Sequence, residues 1–341
     1  MTYADPEAVS DHLRRGRPKP AMPAGITAAE LEKKTFAPVA WVIPDLIPDG
    51  LTMLAGKPKL GKSWFMLDSS VAVARGGIIL DRKCVQGDVL YAALEDNQRR
   101  LKNRMAKICS GGQWPAGLTF WTQMERLEDG GLDQLNDWIA SVENPRLIVI
   151  DVFTRVRRIT GGKEGMYEAD YAAVTPLKQL ADDTGVGVVI VHHLRKMASD
   201  SDPLDMVSGS TGLTGAMDTI LVLNRGSEGV TLYGRGRDIE EIESAVQFDR
   251  VNCRWSMLGD AREVRMSAER RTILDALRAG AEPLGPNVIA DVTGHSPTST
   301  RRLLFSMTRD GEVSKVGRGR YTLPDLYPPN IGNKITMEGP S

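Results

Sequence analysis

The sequence predicts an α/β protein with a mostly parallel central sheet, antiparallel strands at one edge of that sheet, and a small second domain. Short apolar runs alternate with segments of helical periodicity as far as residue 191, which is typical of a parallel sheet. Three strand-like runs then follow one another between residues 220 and 248, which predicts antiparallel pairing. Beyond residue 266, helical patterns and a basic hairpin indicate a separate small domain.

Each core strand is predicted from an apolar run bounded by turn residues. Asp49 and Gly50 mark the turn before the first of them. The runs cover residues 51–55, 88–94, 118–122, 146–151, 185–191, 220–223, 230–233 and 245–248. Two of them, 146–151 and 185–191, are apolar at consecutive positions, which predicts strands buried on both faces of the sheet.

Core helices are predicted where apolar residues recur at helical spacing, at residues 63–74, 97–108, 132–142 and 167–183. Pro176 lies within the last segment and is expected to interrupt or kink it, because proline lacks the backbone donor. In the C-terminal part the helical patterns cover residues 268–279, 287–292 and 296–309, followed by a hairpin within 312–323. Three short helices and a hairpin predict a winged helix.

These patterns divide the chain into four segments. Residues 1–35 are polar, contain a basic run, and are expected to form a flexible N-terminal arm. Residues 36–260 are predicted to form the α/β core, and residues 264–325 the winged-helix domain. Residues 326–341 contain proline and glycine and are expected to be disordered.

Composition limits the possible partners and compartment. The chain has 341 residues and a formal net charge of −1, so any surface that binds nucleic acid must be local. Cys84, Cys109 and Cys253 are far apart and form no metal-ligand spacing, which favours reduced thiols in a cytosol. No apolar run reaches membrane-spanning length, and no signal-peptide core is present. We therefore expect a cytoplasmic protein without membrane association.

A glycine-rich segment between the first core strand and the first core helix fits the phosphate-binding loop of nucleoside triphosphatases. It consists of Gly56, Lys57, Pro58, Lys59, Leu60, Gly61, Lys62 and Ser63, with Trp64 following in the helix. Gly56 and Gly61 are expected to adopt backbone angles closed to other residues, so that N–H groups surround a phosphate. Lys62 would reach the outer phosphates of ATP, and the Ser63 hydroxyl would ligate Mg²⁺. The segment predicts an ATP site.

Acidic residues follow two of the predicted strands, at the strand ends where doubly wound sheets bind ligands. Asp151 is the residue expected to hold Mg²⁺ or its water. Glu95 is the first candidate for the general base that activates the attacking water, and Asp96 is the second. An ion pair between Glu95 and Arg99, one helical turn further on, is the structural alternative.

Three more candidate residues carry a positive charge or a titratable ring. His193 ends a predicted strand and either contacts the γ-phosphate or has a structural role. Its neighbour His192 should point to the opposite side of the sheet and be packed. Arg235 and Arg237 follow a strand near the antiparallel edge, where they fit either an arginine finger that crosses a subunit interface or a solvated turn.

Taken together, these residues resemble the RecA-like superfamily of P-loop ATPases, and most closely the RepA-type hexameric ATPases of plasmids and phages. The motifs that carry the resemblance lie at residues 51–63, 93–96, 147–151, 191–195, 209–218 and 234–238. The resemblance covers about residues 35–255, and it does not extend to the winged helix. It implies a RecA-like core that assembles as a hexameric ring, with ATP and Mg²⁺ bound between subunits.

The resemblance also implies roles for individual residues. Glu95 corresponds to the glutamate that activates water, and His193 to the sensor at a strand end. Arg235 and Arg237 correspond to a Lys-x-Arg pair that reaches into the neighbouring subunit's site, although this chain has arginine at the first position. The DNA-contacting loops of the family fall after Asp151 and after His193. Their basic residues here are Arg155, Arg157, Arg158, Arg195 and Lys196.

Three functions fit this set of features. The first is a DNA-dependent ATPase, a ring-forming helicase or translocase of a mobile element that grips single-stranded DNA with its core loops. The second is a regulatory or loader ATPase that remodels a partner protein. The third is an adaptor that binds a duplex site through its winged helix, with ATP controlling assembly. Residues 262–325 contain eleven Lys or Arg against eight Asp or Glu. The arginines that could line one face of the winged helix are Arg301, Arg302, Arg318 and Arg320.

Overall fold

The computed structural model describes residues 25–36, 38–157, 166–194, 211–226, 229–280, 282–317 and 319–326. The chain divides into two compact units, Met1–Pro38 and Val39–Ser341. In the first unit, helix α1 (Ala28–Glu32) is exposed and begins with a capping box between Thr27 and Glu30. The segment predicted as a flexible arm therefore contains a short helix. Four candidate DNA-binding residues lie outside the described residues: Arg158, Arg195, Lys196 and Arg318.

The second unit contains all the remaining elements. Its helices are α2 (Lys62–Arg75), α3 (Gln98–Ile108), α4 (Gly131–Ser141), α5 (Met166–Thr184), α6 (Thr211–Gly215), α7 (Ala261–Ala279), α8 (Pro286–Thr293) and α9 (Pro297–Arg309). The first seven strands are β1 (Trp41–Ile43), β2 (Ile47–Pro48), β3 (Gly50–Gly56), β4 (Ile78–Ile79), β5 (Arg82–Lys83), β6 (Asp88–Ala93) and β7 (Leu118–Trp121). The later strands are β8 (Pro145–Asp151), β9 (Gly187–His193), β10 (Thr219–Gly226), β11 (Gly229–Gly236), β12 (Ile242–Asp249), β13 (Arg254–Asp260), β14 (Ser314–Val316) and β15 (Arg320–Thr322).

Within the described ranges, nine strands form one sheet in the order β13-β12-β11-β10-β3-β9-β8-β6-β7. The strands from β10 to β7 in this order are parallel, and those from β10 to β13 are antiparallel. The predicted architecture is thereby confirmed. Strand β13 is missing from the prediction because its buried residues alternate with exposed ones and form no apolar run.

Helices cover both faces of the sheet, which explains the consecutive apolar residues of its central strands. In β3, Leu54 packs into one apolar cluster together with residues of α2 and α3. Met53 and Ala55 point to the other face and join the residues of α4 and α5. The phosphate-loop segment is thus attached to a strand with no solvent-exposed side.

Pro176 is expected to interrupt or kink helix α5, and the helix continues past it without interruption. Its neighbours Val174 and Leu177 are fully buried against the sheet. Burial of this apolar face offsets the cost of a proline inside a helix, which is about 3 kcal/mol.

The C-terminal elements form the predicted winged helix. Helix α7 starts directly after β13, where the Asp260 side chain caps it. Ile273 and Leu277 of α7 join a separate apolar cluster with residues of α8 and α9. The boundary predicted between residues 260 and 264 lies in the first turn of this continuous helix. In the part of the chain that the structure describes, no helix is long and apolar enough to span a membrane.

Candidate active site

The phosphate loop connects β3 to α2 and curls through two left-handed residues. Lys59 has φ 63° and Gly61 has φ 102°, and Gly61 is the N-cap of α2. A Cβ atom at Gly61 would lie 2.9 Å from the Trp255 ring, so this position requires glycine for both backbone angle and space. Gly56 does not adopt a positive φ, contrary to expectation. It is required because a Cβ atom there would lie 2.9 Å from the Leu223 carbonyl oxygen.

Lys62 is buried beneath this loop. Its Nζ donates to the carbonyl oxygens of Gly56 at 2.6 Å and Lys57 at 3.1 Å, and lies 3.3 Å from His193 Nδ1. Burial lowers the pKa of Lys62 to about 8, although the charges of Asp151 and Glu95 oppose the shift. A phosphate placed in the loop would hold the ammonium group charged.

Asp151 ends β8 beside the start of α2 and is almost fully buried. Burial raises the pKa of its carboxyl group, while hydrogen bonds from Ser63 and Tyr91 lower it. Among the described residues no cluster of three His, Cys, Asp or Glu side chains exists that could hold a metal alone. One carboxylate and one hydroxyl suit Mg²⁺, which usually takes few protein ligands and completes its shell with phosphate and water oxygens. Ser63 and Asp151 therefore fit this ion.

The structure distinguishes Glu95 from Asp96. The Asp96 carboxylate is held by Arg100 at 2.9 Å and by Arg104 at 2.5 Å. The Glu95 side chain is half exposed, and its ion pair is with Arg155 at 3.8 Å rather than with Arg99. The charge of Glu95 also acts on Lys62 and His193. The geometry favours Glu95 over Asp96 as a group free to accept a proton.

His193 lies next to the phosphate loop because β9 pairs with β3 in a register that places it opposite Gly56. Burial lowers the pKa of His193, and the nearby Lys62 charge lowers it further. The ring is therefore neutral at pH 7 in this arrangement. His192 is buried on the other side of the strand, as the alternation of β-strand side chains requires.

Arg235 and Arg237 lie far from the phosphate loop of their own chain. Gly236 of β11, which lies between them, pairs with Thr219 of β10. Thr219 in turn pairs with Thr52 of β3, four residues before Gly56. This places them roughly 13 Å from the loop along the strands, and about 10 Å to the side because β10 intervenes. Arg235 pairs with Glu241 at 2.9 Å, and Arg237 with Asp218 at 3.3 Å.

The candidate DNA-binding residues differ in their availability. Arg155 is exposed, whereas Arg157 forms an ion pair with the buried carboxylate of Asp170. On the winged helix, Arg301 donates to Asn287 Oδ1 at 2.9 Å, and Arg320 to the Pro283 carbonyl oxygen at 3.2 Å. Arg302 is exposed on helix α9.

Three aromatic residues support the site, and the sequence patterns assigned none of them a role. Tyr91 contacts Asp151, and Trp255 of β13 packs under Gly61. The Trp64 ring packs against Phe248 and carries the Arg104 guanidinium 5.2 Å from its centroid. A tyrosine in the middle of a buried strand is the one sequence signal available for Tyr91, since its hydroxyl must find a partner.

Two parts of the chain match known protein families. Residues 17–199 match a family described as AAA domain, which is more than half of the chain. The chain belongs to this AAA family. The region of this AAA chain that matches the family begins at residue 17, within the segment predicted as an N-terminal arm. Residues 272–317 match the IclR helix-turn-helix domain, in agreement with the winged helix.

Solved structures share the fold of this AAA chain at low sequence identity. One of them, described as an ATPase domain, is 13% identical, with a TM-score of 0.50 over 62% of this chain and 85% of that one. A DnaB-like replicative helicase, solved in a study of its interactions with primase, is 12% identical, with a TM-score of 0.53 over 74% and 71%. A search of curated proteins gives no match. The core is thus a RecA-like P-loop fold, as the sequence resemblance implied.

Proposed function

We propose that this AAA chain is a DNA-dependent ATPase, a ring-forming replicative helicase or translocase of a plasmid or phage. Its two domains would be the core of residues 36–260 and the winged helix of residues 264–325. The protein would act in the cytoplasm. The supporting observation is the position of two groups of residues. The carboxyl ends of the parallel strands carry Lys62, Glu95, Asp151 and His193, whereas Arg235 and Arg237 lie level with the amino end of β10. The solved structures with the same fold, a replicative helicase among them, are consistent with it.

The residues at the carboxyl edge have distinct chemical roles in this proposal. The phosphate-loop amides and Lys62 bind the β- and γ-phosphates of ATP, and Lys62 exchanges its bonds to Gly56 and Lys57 for phosphate oxygens. Glu95 accepts the proton of the attacking water. Ser63 and Asp151 would hold Mg²⁺, which neutralises charge on the phosphates. His193 contacts the γ-phosphate and registers its loss.

The position of the arginines supports a site shared between subunits. Neither side chain can reach the phosphate loop of its own chain across roughly 13 Å of sheet. In a hexameric ring, the edge that carries Arg237 would face the neighbouring subunit's nucleotide. Arg237 would then stabilise negative charge in the transition state, with Arg235 beside it.

DNA would be gripped by the segments after Asp151 and His193, with Arg155 as the best placed of the described candidates. The winged helix favours a second candidate function, an adaptor that binds a duplex site, because it matches a helix-turn-helix family. Arg301, Arg302 and Arg320 lie on its exposed elements. In that case ATP would control assembly rather than drive unwinding.

Unwinding separates the two candidates. A helicase displaces a labelled strand from a forked duplex when ATP and Mg²⁺ are added, and its ATPase rate rises with single-stranded DNA. An adaptor binds duplex with the Arg302 face and gives no displacement. A helicase with an auxiliary winged helix predicts two results. Lys62→Ala should lose strand displacement and keep duplex binding, and Arg302→Ala should lose duplex binding and keep strand displacement.

A further inference from the structure

Tyr91 occupies the middle of β6 and is 1% exposed. Its hydroxyl donates to Oδ2 of Asp151 at 2.7 Å and lies 3.3 Å from the carbonyl oxygen of Ser63. It therefore touches the end of β8 and the first turn of α2 together. Its ring packs against Phe120 at a centroid distance of 6.0 Å, which fixes the direction of the hydroxyl.

The hydrogen bond has a definite direction. An ionised carboxylate only accepts, so the tyrosine hydroxyl is the donor. A tyrosine hydroxyl ordinarily titrates at about pH 10, so this donor keeps its proton at neutral pH. A bond to a carboxylate from a fully buried donor is among the stronger hydrogen bonds in proteins. One oxygen of Asp151 is thus fixed by Tyr91, which sets the orientation of the whole carboxylate.

We propose that Tyr91 is the positioning residue of the metal side of the ATP site. Its hydroxyl holds Asp151 against the start of α2, so that Asp151 and the Ser63 hydroxyl face one cation together. The inference rests on the proposed ATPase function, and it assigns Tyr91 no contact with nucleotide or metal. Outer partners of this kind typically change metal affinity about 10- to 100-fold when they are removed.

Tyr91→Phe removes the hydroxyl and keeps the ring. The experiment measures binding of a fluorescent, non-hydrolysable ATP analogue by the full chain, once with Mg²⁺ and once with EDTA. We expect the gain in affinity that Mg²⁺ gives the wild-type protein to shrink about tenfold in Tyr91→Phe. Affinity in EDTA should stay within about twofold of the wild type, since Tyr91 is not placed at the phosphates.

Tyr233→Phe is the matched control, because it removes a tyrosine hydroxyl from β11 and should leave both affinities unchanged. An unchanged Mg²⁺ effect in Tyr91→Phe overturns the inference and leaves the ATPase proposal intact. Equal losses with Mg²⁺ and with EDTA also overturn it, because they indicate a general packing role. If the wild-type protein binds no analogue at all, the ATPase proposal fails and the role of Tyr91 fails with it.

Discussion

The Nε atom of Arg155 lies 3.8 Å from Oε1 of Glu95, which joins a candidate DNA-binding residue to the candidate general base. The two side chains are 62% and 53% exposed. An ion pair this exposed is worth about 1 kcal/mol at most, so a DNA phosphate could compete for Arg155. Loss of the pair would release the Glu95 carboxylate from its contact with Arg155. In the proposed function, this contact would link DNA binding to ATP hydrolysis.

The first prediction tests that route with Arg155→Ala. We expect turnover without DNA to rise by up to about fivefold, because the competing charge beside Glu95 is gone. Single-stranded DNA should then give little further stimulation. The measurement is steady-state ATPase over a DNA titration, with Arg99→Ala as a control that removes an exposed arginine of the same region. Full DNA stimulation in Arg155→Ala would separate Arg155 from the coupling.

The second prediction concerns the general base. Glu95→Gln should bind ATP but hydrolyse it about 10²- to 10⁴-fold more slowly, because the amide cannot accept the proton of water. Asp96→Asn should retain more turnover and instead lower the melting temperature, since it weakens the contacts with Arg100 and Arg104. Single-turnover hydrolysis and thermal unfolding of both variants give the comparison. A reversed order of the two hydrolysis rates would assign the base to Asp96.

The third prediction is a pH dependence of nucleotide binding. Burial lowers the pKa of Lys62 to about 8 in the free protein, and bound phosphate must raise it again. Affinity for ATP should therefore be level below about pH 8 and fall by up to tenfold per unit above it. Titrations of a fluorescent ATP analogue between about pH 7 and pH 9.5 measure the effect. In Lys62→Ala the affinity should be weak and independent of pH across this range. A level wild-type profile would contradict the shifted pKa.

Much of the fold follows from local patterns in the sequence. The buried strands β3, β8 and β9 are apolar at consecutive positions, and the loop before α2 has a fixed glycine spacing. These signals are local, so they can be recognised without knowledge of tertiary contacts. Strand β13 gives no such signal, because exposed residues alternate with less exposed ones along it. Its place depends on pairing with β12 and on the contact of Trp255 with the phosphate loop. Helix α7 continues across the expected domain boundary, and this continuity likewise depends on tertiary contacts.

The site is predictable in outline and not in its contacts. Strand ends indicate Glu95, Asp151 and His193 because parallel strands end at one edge of the sheet. The choice between Glu95 and Asp96 depends on two arginines that hold Asp96. Arg100 lies one helical turn from Asp96, a spacing visible in the sequence, whereas Arg104 is eight positions away and gives no such signal. The role of Tyr91 depends on pairing between β6 and β8, whose register brings Ala93 opposite Asp151.

The last prediction concerns the shared site. Arg237→Ala should keep ATP binding and lower kcat by about 10³ if the arginine acts on the neighbour's nucleotide. Arg237 also pairs with Asp218, whose carboxylate accepts the Leu51 N–H at 2.9 Å, so a purely structural role is the competing explanation. Arg235→Ala serves as the companion variant, since it breaks an exposed pair with Glu241 and should lower kcat in the same direction.

Mixed rings distinguish the two explanations. Lys62→Ala subunits bind little ATP and still present intact arginines, whereas Arg237→Ala subunits have an intact phosphate loop. Some interfaces in a mixture therefore combine a sound loop with a sound arginine, and ATPase activity should exceed that of either variant alone. Activity is measured across mixing ratios after subunit exchange has been verified by fluorescence energy transfer. A structural defect in Arg237→Ala would stay within its own chain, because a neighbour cannot replace the pair with Asp218. Absence of any recovery in verified mixed rings would leave the arginines structural and would remove the argument for a site shared between subunits.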